Sequence, residues 1–332
     1  MSEIRYDILH DTDVIIAPER LHRPDSFRKK PAKLSKKKCP FCEGNESMTP
    51  PEIYAVRDAN SLPNETSWKT RVVPNLYKAL QIETPYEHHN GAFEYWEGFG
   101  AHEVIIDTPK HYTSMAQWDT ETVTNWLKTL RQRVGDLRRD NRIAFISLFK
   151  NEGTQAGATQ EHSHTQLIGM PLVPKFTRHM YHRSEEYYAN KGRAILEDMI
   201  MQEEDASSRI VKQYGDFTAF CPYASAYPFE VIISSKKALG QIDTISDSSI
   251  EDVSVLILDV MKKISQQVGT LDCNISIFTP PLHEAYNDHA HRFALRIMPR
   301  IYRLGGFEVT TGVNINPLSP ELAAELLRRD DA

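Results

Sequence analysis

One short segment of the sequence carries side chains that could react at phosphorus. Residues 161–166 read EHSHTQ and continue into the apolar stretch 167–170. Side chains alternate along an extended strand, so His162, His164 and Gln166 would face the same side. A neutral imidazole attacks phosphorus near pH 7 and also leaves readily. The pattern predicts that His164 is a nucleophile and that the Gln166 amide stabilises negative charge in the transition state.

The same histidines have a simpler interpretation, in which they lie at the surface or bind only a metal. A loop just upstream adds some support for phosphate chemistry. It spans residues 150–159 and is rich in small residues. Its backbone N–H groups, together with Asn151, Gly157 and Thr159, could approach phosphate oxygens. The loop matches neither the Walker A motif nor the Rossmann fingerprint, so the phosphate interpretation depends mainly on the histidines.

A second candidate site lies near the N-terminus, where Cys39 and Cys42 form a C-x-x-C pair. Two thiolates at this spacing on a tight turn are typical of tetrahedral zinc. A redox pair and two incidental thiols are the alternatives. The redox alternative is weakened because no strand directly precedes the pair, and because Pro50 and Pro51 oppose a long following helix. We therefore predict a metal site.

Zinc needs two further ligands, and histidines are the available ones. His162 is one candidate, and His111 is the other, with His102 as its rival on the same predicted strand. His111 lies in the turn at the end of that strand, where it can share a site with another loop. Such a metal would tie the N-terminal loop to the segment that carries His164, so its predicted role is structural.

Two parts of the chain repeat the same order of predicted elements, and these elements must position the candidate residues. Each part has a β-branched apolar strand with a turn, apolar residues at helical spacing, a second strand and a Met-Pro pair. The first copy covers 103–111, 123–137, 144–149 and 170–171, and the second covers 230–238, 250–268, 274–278 and 298–299. Ser248 or Ser249 could cap the second helix. Four matches in one order predict an internal duplication.

The two copies differ where chemistry is expected. Aligned on Met-Pro, His162 falls opposite Ala290 and His164 opposite Arg292. Aligned on the first strands, His111 falls opposite Ala238. The first half therefore keeps a set of histidines that the second half lacks.

Composition limits the classes of protein to which the chain can belong. It has 332 residues, 40% hydrophobic and 25% charged, as in an ordinary soluble protein. The net charge of −6 argues against a nonspecific nucleic-acid partner, and the basic run 29–38 is predicted to be a solvated loop. No apolar stretch is long enough for a membrane span. Four cysteines are too few for a disulfide scaffold, so we expect a cytoplasmic protein.

Several stretches together resemble the galactose-1-phosphate uridylyltransferase branch of the histidine-triad superfamily. The resemblance covers nearly the whole chain, and its motifs are specific for the branch. It is carried by residues 15–20 with Arg23 and Pro24, by residues 39–42, by residues 71–75, by residues 162–166 and by residues 315–317.

The resemblance implies a fold and a reaction. The fold is α+β and histidine-triad-like, with duplicated halves at 1–174 and 175–332, each with an antiparallel sheet and packed helices, and the protein is a homodimer. The reaction is a double displacement through a nucleotidyl-histidine, with His164 as the nucleophile and Gln166 as its stabiliser. The resemblance also assigns the zinc ligands and selects His111 over His102. These ligands are Cys39, Cys42, His111 and His162.

The resemblance further implies which residues bind substrate. Asn75 would contact the ribose, and Asn151 and Thr159 would lie along the phosphates. Arg20 and Arg23 match basic residues that reach the distal phosphate, across the dimer.

This chain departs from the best-known uridylyltransferases in one residue that bears on the substrate. It has Ser163 where they have proline between the two histidines. This form looks more like ADP-glucose phosphorylase and adenylylsulfate:phosphate adenylyltransferase members. We therefore expect His164 to take AMP from ADP-glucose or adenylyl sulfate and to pass it to phosphate, giving ADP. The alternatives are uridylyl transfer from UDP-glucose to galactose 1-phosphate, and a nucleotide-binding regulator without turnover.

Two further departures concern the second half. Some relatives hold another metal there, but Ala238 and Arg292 occupy positions where ligands would be needed, and only His283, His289 and His291 could rebuild the site. Residues 310–312 read TTG in place of a more glycine-rich form near the sugar-binding end, which leaves the acceptor open.

Overall fold

The computed structural model describes residues 1–21, 38–112 and 114–329. Two small strands, β5 and β6, form a hairpin of their own, and the other thirteen strands form two sheets. The strands are β1 (Glu3–Asp7), β2 (Thr12–Ile16), β3 (Tyr54–Arg57), β4 (Trp68–Pro74), β5 (His88–His89), β6 (Tyr95–Trp96), β7 (Ala101–Ile106), β8 (Phe145–Glu152), β9 (His164–Met170), β10 (Ile210–Tyr214), β11 (Phe217–Phe220), β12 (Val231–Ser235), β13 (Cys273–Ile277), β14 (Ala294–Pro299) and β15 (Asn314–Asn316). The α-helices are α1 (Thr120–Leu137), α2 (Lys175–Lys191), α3 (Ile195–Ala206), α4 (Asp247–Val268), α5 (Gly306–Thr311) and α6 (Pro320–Arg328).

The main sheet has ten strands, and its order repeats from the centre outwards. The order is β10-β11-β12-β14-β13-β8-β9-β7-β4-β3, and every neighbouring pair is antiparallel. Each half contributes five strands, which end at the centre in β8 and β13 and have matching positions, so the predicted α+β fold with duplicated halves is confirmed. The two predicted sheets, however, form one continuous sheet, because β8 and β13 pair directly. The division at 174 and 175 stays a prediction.

The strand register corrects the alignment of the two copies. Leu167 of β9 pairs with Glu103, and Leu295, which occupies the same place in β14, pairs with Ile233. Glu103 therefore corresponds to Ile233 and not to Glu230. The predicted alignment was wrong by three residues, and an odd shift turns every side chain of a strand to the other face. The comparison of His111 with Ala238 fails for the same reason.

Helices α1 and α4 pack against each other and cover one face of the sheet. Both are amphipathic, as their apolar spacing predicts. The side chain of Asp119 caps α1 by accepting from the N–H of Thr122. Ser246 caps α4 by accepting from the N–H of Ser249. The predicted caps, Ser248 and Ser249, are therefore wrong by two and three residues, and both lie inside the helix.

The two halves differ on the other face of the sheet. In the second half, α2 and α3, which follow β9 along the chain, cover this face of the sheet. Ile200 of α3 packs there with Phe220 and Ile232. These two helices are not predicted from the sequence. Among the described residues of the first half, no α-helix takes the corresponding place, and the same face carries His164 and Gln166.

A three-stranded sheet joins the two ends of the described chain. Its order is β1-β2-β15, and β15 runs parallel to β2. This pairing fixes the C-terminal segment beside residues 12–16. Among the helices of the described ranges, none has the length and hydropathy that a bilayer crossing requires.

Candidate active site and metal centre

His164 opens β9 and is held with one ring nitrogen free. Its Nδ1 lies 2.9 Å from the backbone oxygen of His162 and donates to it, because a carbonyl oxygen only accepts. The lone pair of the neutral ring is therefore on Nε2. Burial lowers the pKa of His164, which favours the neutral form. The Phe41 ring lies against this imidazole, with the ring centroids 5.5 Å apart. The geometry suits nucleophilic attack by Nε2.

Gln166 lies two residues further along the same strand and is bonded to a histidine. Its Oε1 lies 3.0 Å from Nε2 of His102. Asn75 joins this group, with Nδ2 3.0 Å from the same ring nitrogen. This contact is not predicted from the sequence, in which His102 is only a rival metal ligand. The contact follows from the pairing of Val104 with Gln166, which places His102 diagonally opposite Gln166 on the same face of the sheet.

The predicted zinc ligands converge on one point. The ligand atoms of Cys39, Cys42, His111 and His162 all lie within 4.8 Å of one another. His111 Nδ1 is 3.2 Å from the Cys42 sulfur, and His162 Nδ1 is 3.6 and 3.7 Å from the sulfurs of Cys42 and Cys39. The sulfur-to-nitrogen edge of a zinc tetrahedron is roughly 3.6 Å, given Zn–S near 2.3 Å and Zn–N near 2.0–2.1 Å. The group therefore has the size of a tetrahedral metal site.

The chemistry of the four donors also fits a cation. His162 donates from Nε2 to the backbone oxygen of Thr108 at 2.8 Å, so Nδ1 keeps its lone pair for a metal. Both cysteines are free thiols. Burial, with the neighbouring Cys39 thiol, raises the pKa of Cys42 to about 11. Two thiols held this close become thiolates at neutral pH only beside a positive charge. Zn²⁺ suits this set of ligands.

A buried ion pair lies beneath the backbone between His162 and His164, and it is not predicted from the sequence. The Lys150 ammonium donates to Asp107 Oδ2 at 2.8 Å, to Ser163 Oγ at 2.6 Å and to the His164 backbone oxygen at 3.3 Å. All of these groups are buried. Ser163 thus accepts a charged hydrogen bond beneath the strand, and its side chain points away from any ligand that His164 could meet. The ion pair fixes the backbone between His162 and His164.

The loop that follows β8 lies beside the end of that strand. Asn151 Oδ1 accepts from Asn274 Nδ2 at 2.8 Å, which leaves the Asn151 amino group for other partners. Gly157 has a φ of +90°, and a Cβ there would lie 3.8 Å from Asn151 Nδ2. Thr159 is exposed. The structure therefore brings Gly157 next to Asn151 and leaves both, with Thr159, within reach of solvent.

Arg20 lies beside a cavity that is separate from the group around His164. It is exposed and lines a cavity of about 510 Å³ together with Tyr302, Arg303, Glu308 and Asn314. Among the described residues that line this cavity, none belongs to the group around His164. Arg23 and most of the basic run lie outside the described residues. The structure therefore does not bring Arg20 and His164 together within one chain.

The second half has no comparable metal cluster among its described residues. His291 instead lies 2.7 Å from Glu185 Oε1, and Arg292 donates to Glu197 Oε2 at 2.5 Å. His283 and His289 are not grouped with other ligands. Within the part of the chain that the structure describes, the three histidines do not rebuild a metal site.

Comparison with known families accounts for both halves. The model described as "Galactose-1-phosphate uridyl transferase, N-terminal domain" matches residues 1–174, and the corresponding C-terminal domain model matches residues 180–303. The chain belongs to the galactose-1-phosphate uridyl transferase family. The resemblance stated from the motifs is thereby confirmed.

Two curated relatives of this family match almost the whole chain. ADP-glucose phosphorylase of Arabidopsis thaliana is 31% identical, over 98% of this chain and 92% of its own length. Galactose-1-phosphate uridylyltransferase of Thermotoga maritima is 24% identical, over 100% and 99%. Both are nucleotidyltransferases, and this member of the family is a nucleotidyltransferase as well.

The fold agrees with solved structures of the family. The crystal structure of the Arabidopsis thaliana ADP-glucose phosphorylase with bound ADP-glucose superposes with a TM-score of 0.83, at 28% identity, over 100% of this chain and 99% of that one. A uridylyltransferase structure superposes with a TM-score of 0.75 at 19% identity, over 99% and 97%. The second match concerns the fold alone.

Proposed function

We propose that this chain transfers AMP from ADP-glucose to phosphate through a nucleotidyl-His164 intermediate. Nε2 of His164 attacks the α-phosphorus, a P–N bond forms, and the bond to the oxygen of glucose 1-phosphate breaks. An oxygen of inorganic phosphate then attacks the same phosphorus, the P–N bond breaks, and ADP leaves. Adenylyl sulfate is the second donor of this class, with sulfate as its leaving group. The 31% identity to an ADP-glucose phosphorylase supports this choice of donor.

The observation that carries the proposal is the state of the His164 ring. Its Nδ1 is engaged by the His162 carbonyl, and the ring is buried and favoured as neutral. A nucleotide-binding regulator has no use for such a ring, whereas a nucleophile needs it. Gln166 stabilises the charge that develops on the phosphoryl oxygens. Asn75 contacts the ribose, and Asn151, Gly157 and Thr159 lie along the phosphates.

We assign the metal of the Cys39, Cys42, His111 and His162 group as one structural Zn²⁺. When bound, it fixes the N-terminal turn to the strand that carries the nucleophile, and it takes no part in the transfer itself. All four positions are filled by protein ligands, as in structural sites. None of the four cysteines forms a disulfide, which favours a reducing, cytoplasmic location that cell fractionation would test.

The donor proposal is tested by comparing three reactions under identical conditions. We expect ADP to form from ADP-glucose and phosphate faster than UMP passes from UDP-glucose to galactose 1-phosphate. The third reaction, of adenylyl sulfate with phosphate, shows whether the enzyme prefers glucose 1-phosphate or sulfate as the leaving group. The uridylyltransferase relatives make the UDP-glucose reaction the second candidate. Faster uridylyl transfer would establish it and overturn the adenylyl proposal.

We propose that Arg20 and Arg23 serve the His164 of a second copy, so that the active protein is a homodimer. Arg20 lines a cavity apart from the His164 group in its own chain, which supports a contribution across the interface.

A mixing experiment tests this arrangement. The variants His164→Gly and Arg20→Ala are each expected to have little activity, and mixing them and allowing their subunits to exchange is expected to restore about one quarter of the wild-type rate. In half of the random dimers, one of two sites then has both an intact His164 and an intact Arg20. A mixture that is no more active than the average of the two variants would place both residues in one chain.

A further inference from the structure

We propose that His102 is a positioning residue for nucleotidyl transfer, which holds the Gln166 amide with its N–H groups turned towards the reacting phosphoryl group. The inference rests on the proposed function, because it takes His164 as the nucleophile and Gln166 as the group that stabilises charge. It gives His102 a role that is separate from the metal site.

The neighbours of His102 fix which ring nitrogen carries the proton. The backbone N–H of Ala79 lies 3.0 Å from Nδ1. A backbone N–H can only donate, so Nδ1 is an acceptor and carries no hydrogen. In the neutral ring the hydrogen is then on Nε2. That nitrogen lies 3.0 Å from Gln166 Oε1 and donates to it.

This donation fixes the orientation of the Gln166 amide. A glutamine amide can turn by half a revolution, which exchanges its oxygen and its nitrogen. In the turned state, the Gln166 NH₂ group would meet the N–H of His102, and two donors would face each other. The oxygen therefore stays against His102, and the NH₂ group is directed away from the ring. A ligand phosphate is the kind of acceptor that this group would meet.

Asn75 lies against the same ring nitrogen, but another bond holds it. Its Oδ1 accepts from the N–H of Tyr77 at 2.9 Å, and its Nδ2 lies 3.0 Å from His102 Nε2. Because Nε2 is protonated, it cannot accept from Asn75, so this contact is not a hydrogen bond. The Tyr77 N–H therefore orients the Asn75 amide, and the N–H of His102 serves Gln166 Oε1.

The sheet places His102 where it can act in this way. His102 pairs with Ile168, and Val104 pairs with Gln166. Residues on a diagonal across paired strands share one face and lie within reach of long side chains. The contact is therefore built into the pairing of β7 and β9, and it does not depend on the metal ligands.

Two substitutions separate the ring's two bonds. In His102→Asn, the short amide can still accept from Ala79 but does not reach Gln166. In His102→Gln, the longer amide reaches the place of Nε2 and can still donate. We expect His102→Asn to slow formation of the adenylyl adduct from saturating ADP-glucose by about 10- to 100-fold, with little change in KM. We expect His102→Gln to stay within about threefold of wild type.

Repeating His102→Asn in a protein that already carries Gln166→Ala distinguishes positioning of Gln166 from a general structural role of His102. If His102 acts through Gln166, then His102→Asn costs nothing further in Gln166→Ala protein. A full additional loss in that background, or equal loss in His102→Asn and His102→Gln, would overturn the inference. An adduct that forms in wild type and equally fast in His102→Asn overturns this inference alone. A wild-type protein that forms no adduct with any nucleotide donor overturns the proposed function with it.

Discussion

Replacing His164 with glycine is expected to lower turnover by about 10⁴-fold or more while the protein stays folded. The magnitude follows from removing a covalent nucleophile, since the remaining groups can still bind but cannot form the intermediate. Folding should survive because the His164 side chain makes one hydrogen bond, to the His162 backbone oxygen. The measurements are initial rates of ADP formation and a thermal unfolding curve.

A matched control keeps this result specific. His179 is an exposed histidine of α2 that pairs with Asp11 at the surface, and His179→Ala should leave the turnover unchanged. If His164→Gly keeps more than about 1% of the wild-type rate and is well folded, the nucleophile is another group. A variant that fails to fold is replaced by His164→Asn, which keeps a polar side chain in the same pocket.

Removing the metal is expected to have the second-largest effect, and it acts on stability. The wild-type protein should contain about one zinc per chain, and Cys42→Ala should contain almost none. The sulfur of Cys42 lies within 3.6 Å of both histidine ligands, so its loss opens the tetrahedron. A ligand at 1,000 times its Kd stabilises by about 4 kcal/mol. We therefore expect the melting temperature to fall by roughly 5–10 °C.

Metal analysis and calorimetry check this prediction, with Cys273→Ala as the control. Cys273 is a buried thiol of β13, two places from β9 in the sheet order and outside the ligand group, and its variant should keep the zinc. A chelated wild-type protein should melt at the temperature of Cys42→Ala and recover when zinc is added back. A wild-type protein that contains no metal, or a Cys42→Ala variant that keeps it, would contradict the assignment.

The sequence predicts the local parts of the site because local spacing determines them. Alternation along one strand places His164 and Gln166 on the same face, and two residues between Cys39 and Cys42 suffice for a turn that points both sulfurs one way. The amphipathic periods of α1 and α4 and the strand runs next to them are likewise contained in short windows.

The missed features depend on pairings between distant segments. Lys150 and Asp107 lie 43 residues apart, and only the sheet brings them together beneath Ser163. The pairing of Glu103 with Leu167 and of Ile233 with Leu295 is another example. A sequence motif shared by the two strands aligned them three residues away, because the motif has no information about the register.

The same limit applies to what can be inferred about the substrate from Ser163. From the sequence it separates this chain from uridylyltransferases with proline at that position. In the structure its hydroxyl accepts from Lys150 at 2.6 Å and is buried, so it has no contact with a nucleobase. Ser163 supports the backbone between the two histidines, and the choice between adenine and uracil rests on other residues.

The central claim is the covalent intermediate on His164, and mass spectrometry of the intact protein tests it most directly. The protein is incubated briefly with ADP-glucose in the absence of phosphate, and its mass is compared with that of His164→Gly treated in the same way. We predict that wild type gains one adenylyl group, that phosphate removes it as ADP, and that the variant gains nothing. A wild-type mass that stays unchanged with ADP-glucose, adenylyl sulfate and UDP-glucose alike, or an adduct that survives in His164→Gly, would contradict the account.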